Sequence, residues 1–174
     1  MTVERVSSDP VVFRHVLGHF ATGVTVVTGM DETEPVGFTC QAFAALSLDP
    51  ALVTIAPALT STSWPRIARS GVFCVNVLAS GEDELARHFA VSGGRKFDGV
   101  PWTPSTTGCP VLEHVLAFID CRIEAAYAGG DHVVVIGRVL DLGTGAAAGL
   151  GPLLFYKGTY GHFEAGAEDD AAAP

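Results

Sequence analysis

The sequence predicts a mainly β fold, an antiparallel barrel with a few short helices. Glycine accounts for 20 of the 174 residues and proline for 10, a composition typical of chains with many tight turns. About seven short runs rich in valine have the length and composition of strands. Because these runs do not alternate with long helical segments, a doubly wound parallel sheet is not expected.

Short helices are expected at three places. The first begins at Asp9-Pro10, because an aspartate can accept amide hydrogen bonds as the N-cap and proline fits the first helical turn. Gly23 is expected to end it. The second helix covers residues 63–70, with proline in its first turn and Gly71 after its end. The third covers residues 82–90, with Ser80 as its cap and acidic residues near its positive end.

The strand-like runs are separated by glycine, proline and aspartate turns. A β-branched run is followed by a turn around residues 29–35, and Asp49-Pro50 separates two later runs. Gly129-Gly130-Asp131 is expected to form a hairpin turn between the two longest runs. The predicted strands cover residues 24–28, 36–48, 51–56, 72–78, 116–127, 132–142 and 153–156.

One domain is expected over residues 10–163. Residues 164–174 carry acids and alanines without apolar periodicity, so this tail is expected to be disordered. The start of the chain has no apolar segment behind a basic head, and the apolar runs are far shorter than the ~20 residues that span a bilayer. The sequence therefore predicts a cytoplasmic protein that does not associate with membranes.

The net charge and the cysteines argue against further classes of protein and of site. A net charge of -9 argues against a nucleic-acid binder or a polybasic membrane surface. The cysteines form no C-x-x-C pair, and their apolar surroundings predict small buried hydrophobes rather than ligands or disulfides. They are Cys40, Cys74, Cys109 and Cys121.

The histidines do not predict a metal site. His15 and His19 are four residues apart on the first predicted helix and could share one face. No third ligand is spaced nearby, so a solvated helix face is favoured over a metal site. His132 differs because it follows a turn at the start of a strand. From spacing alone it is either a surface histidine or a side chain that reaches into a pocket.

A row of four hydroxyl residues, Thr60-Ser61-Thr62-Ser63, precedes the second predicted helix. Hydroxyls and free amides at such a position can hold a phosphate, although they more often serve as simple helix caps without a ligand. Arg95 and Lys96 supply two of the chain's ten cations in a glycine-rich loop and favour an anionic ligand. The chain has no nucleophile elbow, zinc helix or phosphate-loop motif.

The order of several segments resembles the short-chain flavin reductase family. Within that family the chain is most similar to reductase components of two-component monooxygenases, particularly those of actinobacterial steroid-ring degradation. The resemblance covers roughly residues 10–163. The segments are Thr22-Gly-Val-Thr-Val-Val-Thr28, Gly37-Phe-Thr-Cys-Gln-Ala-Phe43, Ser47-Leu-Asp-Pro50, Phe73-Cys-Val-Asn-Val-Leu78, Lys96-Phe97, Gly130-Asp131-His132 and Leu153-Leu-Phe-Tyr156.

The resemblance implies a split β-barrel, commonly a homodimer, that binds FMN or FAD together with NADH. It implies hydride transfer from NADH to flavin and release of reduced flavin to a partner monooxygenase. The resemblance implies NADH rather than NADPH, and the shortage of arginines for a 2′-phosphate agrees with this. The cofactors carry the reactivity, so no catalytic side chain is expected.

Site residues follow from the same resemblance. Thr39, Cys40, Gln41 and Ala42 are expected along the polar edge of the flavin ring. The ribityl chain and phosphate are expected along Ala56, Pro57, Ser61 and Thr62. A loop with Arg95, Lys96 and Phe97 is expected to close over the flavin. His132 is expected on the NADH side, and Tyr156 or Tyr160 is expected to line that side with it.

A non-catalytic flavin carrier on the same barrel is the alternative. A carrier needs no nicotinamide site, so the two hypotheses predict different roles for His132. Only the reductase hypothesis requires it to bind NADH. The cysteine and glutamine of Cys40-Gln41 stand where the family more often has small polar residues, which favours a backbone role there.

Overall fold

The computed structural model describes residues 9–164, and residues 165–174 of the predicted tail lie outside them. This part of the chain contains three helices: α1 (Pro10–Leu17), α2 (Trp64–Ser70) and α3 (Asp83–Ala90). The Asp9 carboxylate accepts the Val11 amide at 2.8 Å, which confirms the predicted N-cap. The predicted end of α1 at Gly23 was wrong, because Gly18 already caps the helix.

The other two helices lie close to their predicted positions. Gly71 ends α2 in the left-handed conformation (φ 74°), where glycine is favoured. The expected cap of α3 was wrong, since Glu82 occupies the N-cap position and the Ser80 amide instead donates to the Gly151 carbonyl.

Twelve strands are present in the described residues, more than the sequence indicated. The short strands β1, β7, β8 and β12 had no signal in the hydrophobic pattern. The strands are β1 (Thr22–Gly23), β2 (Thr25–Asp31), β3 (Glu34–Cys40), β4 (Phe43–Leu48), β5 (Ala51–Ile55), β6 (Val72–Leu78), β7 (Trp102–Pro104), β8 (Pro110–Leu112), β9 (Val115–Gly129), β10 (His132–Thr144), β11 (Leu153–Tyr156) and β12 (Thr159–His162).

Seven strands form the main sheet, in the order β3-β2-β6-β9-β10-β5-β4, and every neighbouring pair is antiparallel. A three-stranded sheet, β1-β11-β12, and a β7-β8 pair complete the fold. The mainly antiparallel β class is therefore confirmed. The edge strands β3 and β4 are not hydrogen-bonded to each other in the described structure, so the main sheet is split rather than closed into a barrel.

The predicted strand over residues 36–48 is in fact two strands. The chain leaves β3 at Cys40 and enters β4 at Phe43, so it passes from one edge of the main sheet to the other across Gln41 and Ala42. The prediction was wrong because an apolar run does not show which partner each half pairs with. The predicted hairpin turn at Gly130 is confirmed, with β9 and β10 paired on either side of it.

Two clusters of buried apolar side chains hold the sheet and helices together. One packs Trp64 and Ile67 of α2 against Phe73 and other residues of the main sheet. The second packs Phe89 of α3 against Leu78 and neighbouring aromatic and aliphatic side chains. Burial of this apolar area is the main favourable contribution to folding.

All four cysteines are buried and free, as predicted. Burial raises the pKa of Cys109 to about 11 and that of Cys121 to about 12. Within residues 9–164, no helix is long and apolar enough to cross a membrane.

Candidate active site

A cavity of about 580 Å³ opens where the chain crosses between the two sheet edges. Its volume lies within the range of small-molecule sites. It is bordered by the 40–42 crossover, the segment after β5, the end of α3 and the start of β10. The cavity brings together ten of the thirteen predicted site residues: Thr39, Cys40, Gln41, Ala42, Ala56, Pro57, Ser61, Thr62, Lys96 and His132.

The crossover presents backbone donors that are free to bind a ligand. The Thr39 hydroxyl donates to the Ala86 carbonyl, and the buried Cys40 thiol donates to the Ala42 carbonyl at 3.6 Å. Burial raises the pKa of Cys40, so this thiol stays protonated. The amides of Gln41 and Ala42 have no acceptor among the described residues. The crossover therefore presents two backbone donors at the cavity.

Two of the four hydroxyl residues at positions 60–63 make hydrogen bonds within the described protein through their side chains, and two do not. Ser61 Oγ accepts the Trp64 amide at 3.1 Å, and Ser63 Oγ donates to the Gly37 carbonyl at 2.8 Å. The hydroxyls of Thr60 and Thr62 have no protein partner in the described residues, and both threonines are exposed. The amides of Thr62 and Ser63 are also without an acceptor there. This end of the cavity thus combines hydroxyl and amide donors.

Lys96 connects the loop over residues 92–99, hereafter loop 92–99, to the sheet. Its ammonium donates to the Gly37 carbonyl at 3.1 Å and to the Phe89 carbonyl at 2.9 Å. Burial lowers the pKa of Lys96. With two of three donor protons used, the ammonium retains one for a ligand at the cavity wall.

No aspartate or glutamate lines this cavity, whose lining lies entirely within residues 9–164. The chain as a whole contains 19 acidic residues against 10 basic ones. The cavity wall carries a lysine, a histidine and several unpaired donors instead. The site is therefore suited to an anionic ligand in an otherwise acidic protein.

His132 is fixed at the cavity by its neighbours. Its Nδ1 lies 2.7 Å from Asp131 Oδ1, which leaves Nε2 available. The Asp131 pKa is lowered by this hydrogen bond and by the charge of His132. The turn is tied to the segment after β5, since the Leu59 amide donates to the Asp131 carbonyl at 2.9 Å.

The β11-β12 hairpin contributes Phe155 and Tyr160 to the cavity, and Tyr156 lies outside it. Phe155 and Tyr160 are cross-strand partners with ring centroids 5.2 Å apart. Successive side chains of a strand point to opposite faces, so Tyr156 points away, toward His19 and Lys157. Of the two tyrosines expected on the NADH side, Tyr160 lines the cavity and Tyr156 does not.

Arg95 and Phe97 line a second cavity of about 440 Å³ rather than the first. The two cavities share Thr62, Ser63 and Lys96 as a common border. Thr60 and Phe155 are lining residues that the sequence analysis did not select as site residues. Thr60 stood in the hydroxyl row, whereas Phe155 required knowledge of the hairpin register.

No group of three or more histidine, cysteine or acidic residues in the described chain is placed to hold a metal ion. His19 Nδ1 is instead paired with the His15 carbonyl at 2.9 Å.

The family model of the flavin reductase like domain matches residues 17–164. The chain belongs to this family. It is 49% identical over 166 residues to the flavin-dependent monooxygenase reductase subunit HsaB of Rhodococcus jostii, covering 95% of this chain and 82% of that protein. It is 40% identical to the FMN reductase (NADH) SmoA of Agrobacterium fabrum, covering 87% of this chain and 84% of the other.

A solved member of the flavin reductase family has the same architecture. The NADH:FAD oxidoreductase SgcE6 of Streptomyces globisporus, in complex with NAD and FAD fragments, superposes with a TM-score of 0.86 at 35% identity. The match covers 98% of this chain and all of that structure. The sequence-based assignment to flavin reductases is confirmed.

The cavity of this flavin reductase fits a flavin phosphate in its donor chemistry. Unpaired amides lie at the crossover, and hydroxyls, amides and a lysine lie at the other border. Aromatic side chains also line the cavity. These groups suit a planar ring with polar edges that carries a phosphate.

Replacing Lys96 with methionine is expected to loosen loop 92–99, because the buried Phe89 carbonyl would lose the ammonium hydrogen bond. We expect faster amide hydrogen exchange across the loop and a loss of about 1–3 kcal/mol in unfolding free energy. The control is K157M, which removes a lysine that lines neither cavity. Equal exchange rates in wild type and K96M would contradict the role of Lys96 in holding loop 92–99 against the sheet.

Proposed function

We propose that this protein is an NADH-dependent flavin reductase that reduces FMN or FAD and releases the reduced flavin to a separate monooxygenase. The observation that carries this proposal is the acid-free cavity with unpaired donors in a chain of net charge -9. Relatives named as a monooxygenase reductase subunit and as an FMN reductase (NADH) support the reaction and the partner class. The HsaB likeness supports a flavin-dependent monooxygenase as the partner.

The crossover holds the polar edge of the flavin ring in this proposal. Bound flavin supplies the acceptor for the hydride that NADH carries. Negative charge develops on that edge during transfer, and fixed backbone donors stabilise such charge without reorganising. Gln41 and Ala42 provide two such amides, and their side chains do not determine the donor geometry. Thr39 and Cys40 position this backbone through their own hydrogen bonds.

The flavin phosphate is held at the other border of the cavity. Thr60 and Thr62 offer hydroxyls, the amides of Thr62 and Ser63 are free, and Lys96 supplies a positive charge. Charge-assisted hydrogen bonds from such groups are stronger than neutral ones. Ala56, Pro57 and Ser61 line the stretch before this border, consistent with a ribityl chain.

The nicotinamide side is formed by His132 and the β11-β12 hairpin. Asp131 accepts from His132 Nδ1 when that nitrogen is protonated, so Nε2 is then the acceptor in the neutral ring. Phe155 and Tyr160, whose ring planes are inclined at 69° to each other, add aromatic surface to the same cavity. Together these groups position NADH against the flavin ring, and proximity of the reacting atoms accounts for much of the rate.

A homodimer is proposed from an uncovered apolar groove. The groove, about 530 Å³ in volume, is lined by Phe20, Phe43, Ala44 and Val134 among others, and it shares Gln41, Ala42 and Ala56 with the active-site cavity. Helix α1 beside it buries none of its residues. An isolated helix of this length is unstable in water. A second copy covering this groove would stabilise α1 and border the active site.

Action in the cytoplasm is proposed from the four buried, unpaired thiols. Structural disulfides characterise oxidising compartments, and small free thiols are ordinary in reducing ones.

The decisive assay is NADH oxidation at 340 nm by the purified protein under air, with and without FMN or FAD. We expect turnover that saturates with free flavin, because flavin acts as a diffusible substrate. The control is the same assay on flavin-free protein with no flavin added. Flavin binding without NADH or NADPH consumption would favour the carrier and overturn the reductase proposal.

Replacing His132 with alanine is expected to raise the KM for NADH roughly tenfold, equivalent to about 1.4 kcal/mol, with a much smaller change for flavin. The reason is that the proposed function assigns this histidine to the nicotinamide and not to the flavin. H162A is the matched control, because His162 lines neither the active-site cavity nor its neighbour. Equal increases for NADH and flavin would remove the nicotinamide role.

The homodimer is tested by light scattering after size exclusion. Wild type is expected at twice the chain mass of 18.1 kDa, and Phe20→Glu is expected to give monomer because it places a charge in the apolar groove. L150E introduces the same charge at an exposed leucine outside the groove and is expected to stay dimeric. A monomeric wild type would refute the proposal.

A further inference from the structure

We propose that Arg87 of α3 is a positioning residue that holds the Tyr160 ring in place on the nicotinamide side of the active site. This inference rests on the proposed function, because it adds a residue to the same reaction. Tyr160 lines the active-site cavity and Arg87 does not. Arg87 therefore acts through the tyrosine and not by contact with a nucleotide inside the cavity.

The Arg87 guanidinium lies over the Tyr160 ring, with its central carbon Cζ 4.9 Å from the ring centroid. A cation within about 6 Å of an aromatic centroid is attracted by the negative face of the ring. Asp83, one turn earlier in α3, accepts a hydrogen bond from Arg87 Nη1 at 2.7 Å. The guanidinium is thus held by its own helix while it covers the tyrosine.

Helix α3 is attached to the flavin side of the cavity. The Ala86 carbonyl accepts a hydrogen bond from the Thr39 hydroxyl, and the Phe89 carbonyl accepts one from the Lys96 ammonium at 2.9 Å. The proposed function assigns Thr39 and Lys96 to the flavin. Arg87 lies between these two carbonyls in the chain. Its contact with the β11-β12 hairpin therefore joins the nicotinamide side to a helix that the flavin side already fixes.

The hairpin has no backbone hydrogen bond to α3 within residues 9–164. Its strand β12 lies at the edge of the three-stranded sheet, next to β11. Phe155 and Tyr160 pack against the buried cluster that includes Phe89. Apolar packing is non-directional, so it does not by itself determine which way a ring faces. A cation held over one face of the ring does determine this.

A second cation–π pair on the same hairpin provides an internal comparison. Lys157 Nζ lies 5.2 Å from the centroid of the Tyr156 ring, and Tyr156 is outside the active-site cavity. The two pairs have the same chemistry, but the cavity wall includes the tyrosine of the Arg87 pair and not that of the Lys157 pair. Loss of Lys157 is therefore expected to disturb a tyrosine without an effect on nucleotide binding.

The test measures the Kd for NAD+ by calorimetry on protein saturated with FMN, because these two oxidised compounds do not react with each other. R87M keeps an aliphatic stem over the ring but removes the charge. It is expected to raise the Kd for NAD+ about threefold, the effect of one cation–π pair at an exposed site. The Kd for FMN, from fluorescence quenching, is expected to stay unchanged. R87K is expected to restore most of the NAD+ affinity, and K157M is expected to change neither Kd.

The position of the ring is measured separately, by fluorine NMR of protein that carries 3-fluorotyrosine. The chain has three tyrosines, and a Y160F variant identifies the resonance of Tyr160. R87M is expected to shift the Tyr160 resonance, and K157M is expected to shift that of Tyr156. An unchanged Tyr160 resonance in R87M would overturn the positioning role, whatever the affinity of that variant for NAD+.

Three further results would contradict the inference. One is an unchanged Kd for NAD+ in R87M, and another is an equal rise for NAD+ and FMN, which would show a general disturbance of the site. The third is the same weakening by R87M in a Y160L background, because Arg87 would then act directly on the nucleotide. Failure of NADH oxidation in wild type would refute the reductase proposal alone, since both measurements are made without turnover.

Discussion

The carbonyl of Gly37 is the point on which the arrangement of the site depends. It accepts from Ser63 Oγ and from Lys96 Nζ, so one atom of β3 fixes both the hydroxyl segment and loop 92–99. The glycine itself is required, because a Cβ here would lie 2.9 Å from Cε1 of the buried Phe89 ring. Without these two hydrogen bonds to the Gly37 carbonyl, Ser63 and Lys96 would no longer be held at the border that the two cavities share.

The split of the main sheet has a direct chemical result. A strand that remained in one sheet would pair its amides with a neighbour, but the chain exchanges partners between Cys40 and Phe43. Gln41 and Ala42 consequently keep unpaired donors at the edge of a cavity. The fold thus supplies fixed dipoles from the backbone, and no catalytic side chain is required for a reaction between two nucleotides.

Local signals in the sequence predicted most elements, since caps and β-branched runs depend on near neighbours. Asp9, Gly71 and strand β6 are examples. Ten predicted site residues meet in one cavity because the resemblance covered the whole order of segments. The exchange of partners at residues 40–42 and the positions of Tyr156, Arg95 and Phe97 could not be read in advance. They depend on strand register and on loop geometry, which local patterns do not encode.

The burial of the thiols has a chemical consequence for an enzyme that works beside oxygen. Reduced flavin in air yields hydrogen peroxide, which oxidises thiolates far faster than thiols. Cys109 and Cys121 remain protonated at neutral pH, and Cys40 is shielded within the site itself. The protein therefore keeps its four cysteines as thiols, the form that hydrogen peroxide from its own reaction oxidises slowly.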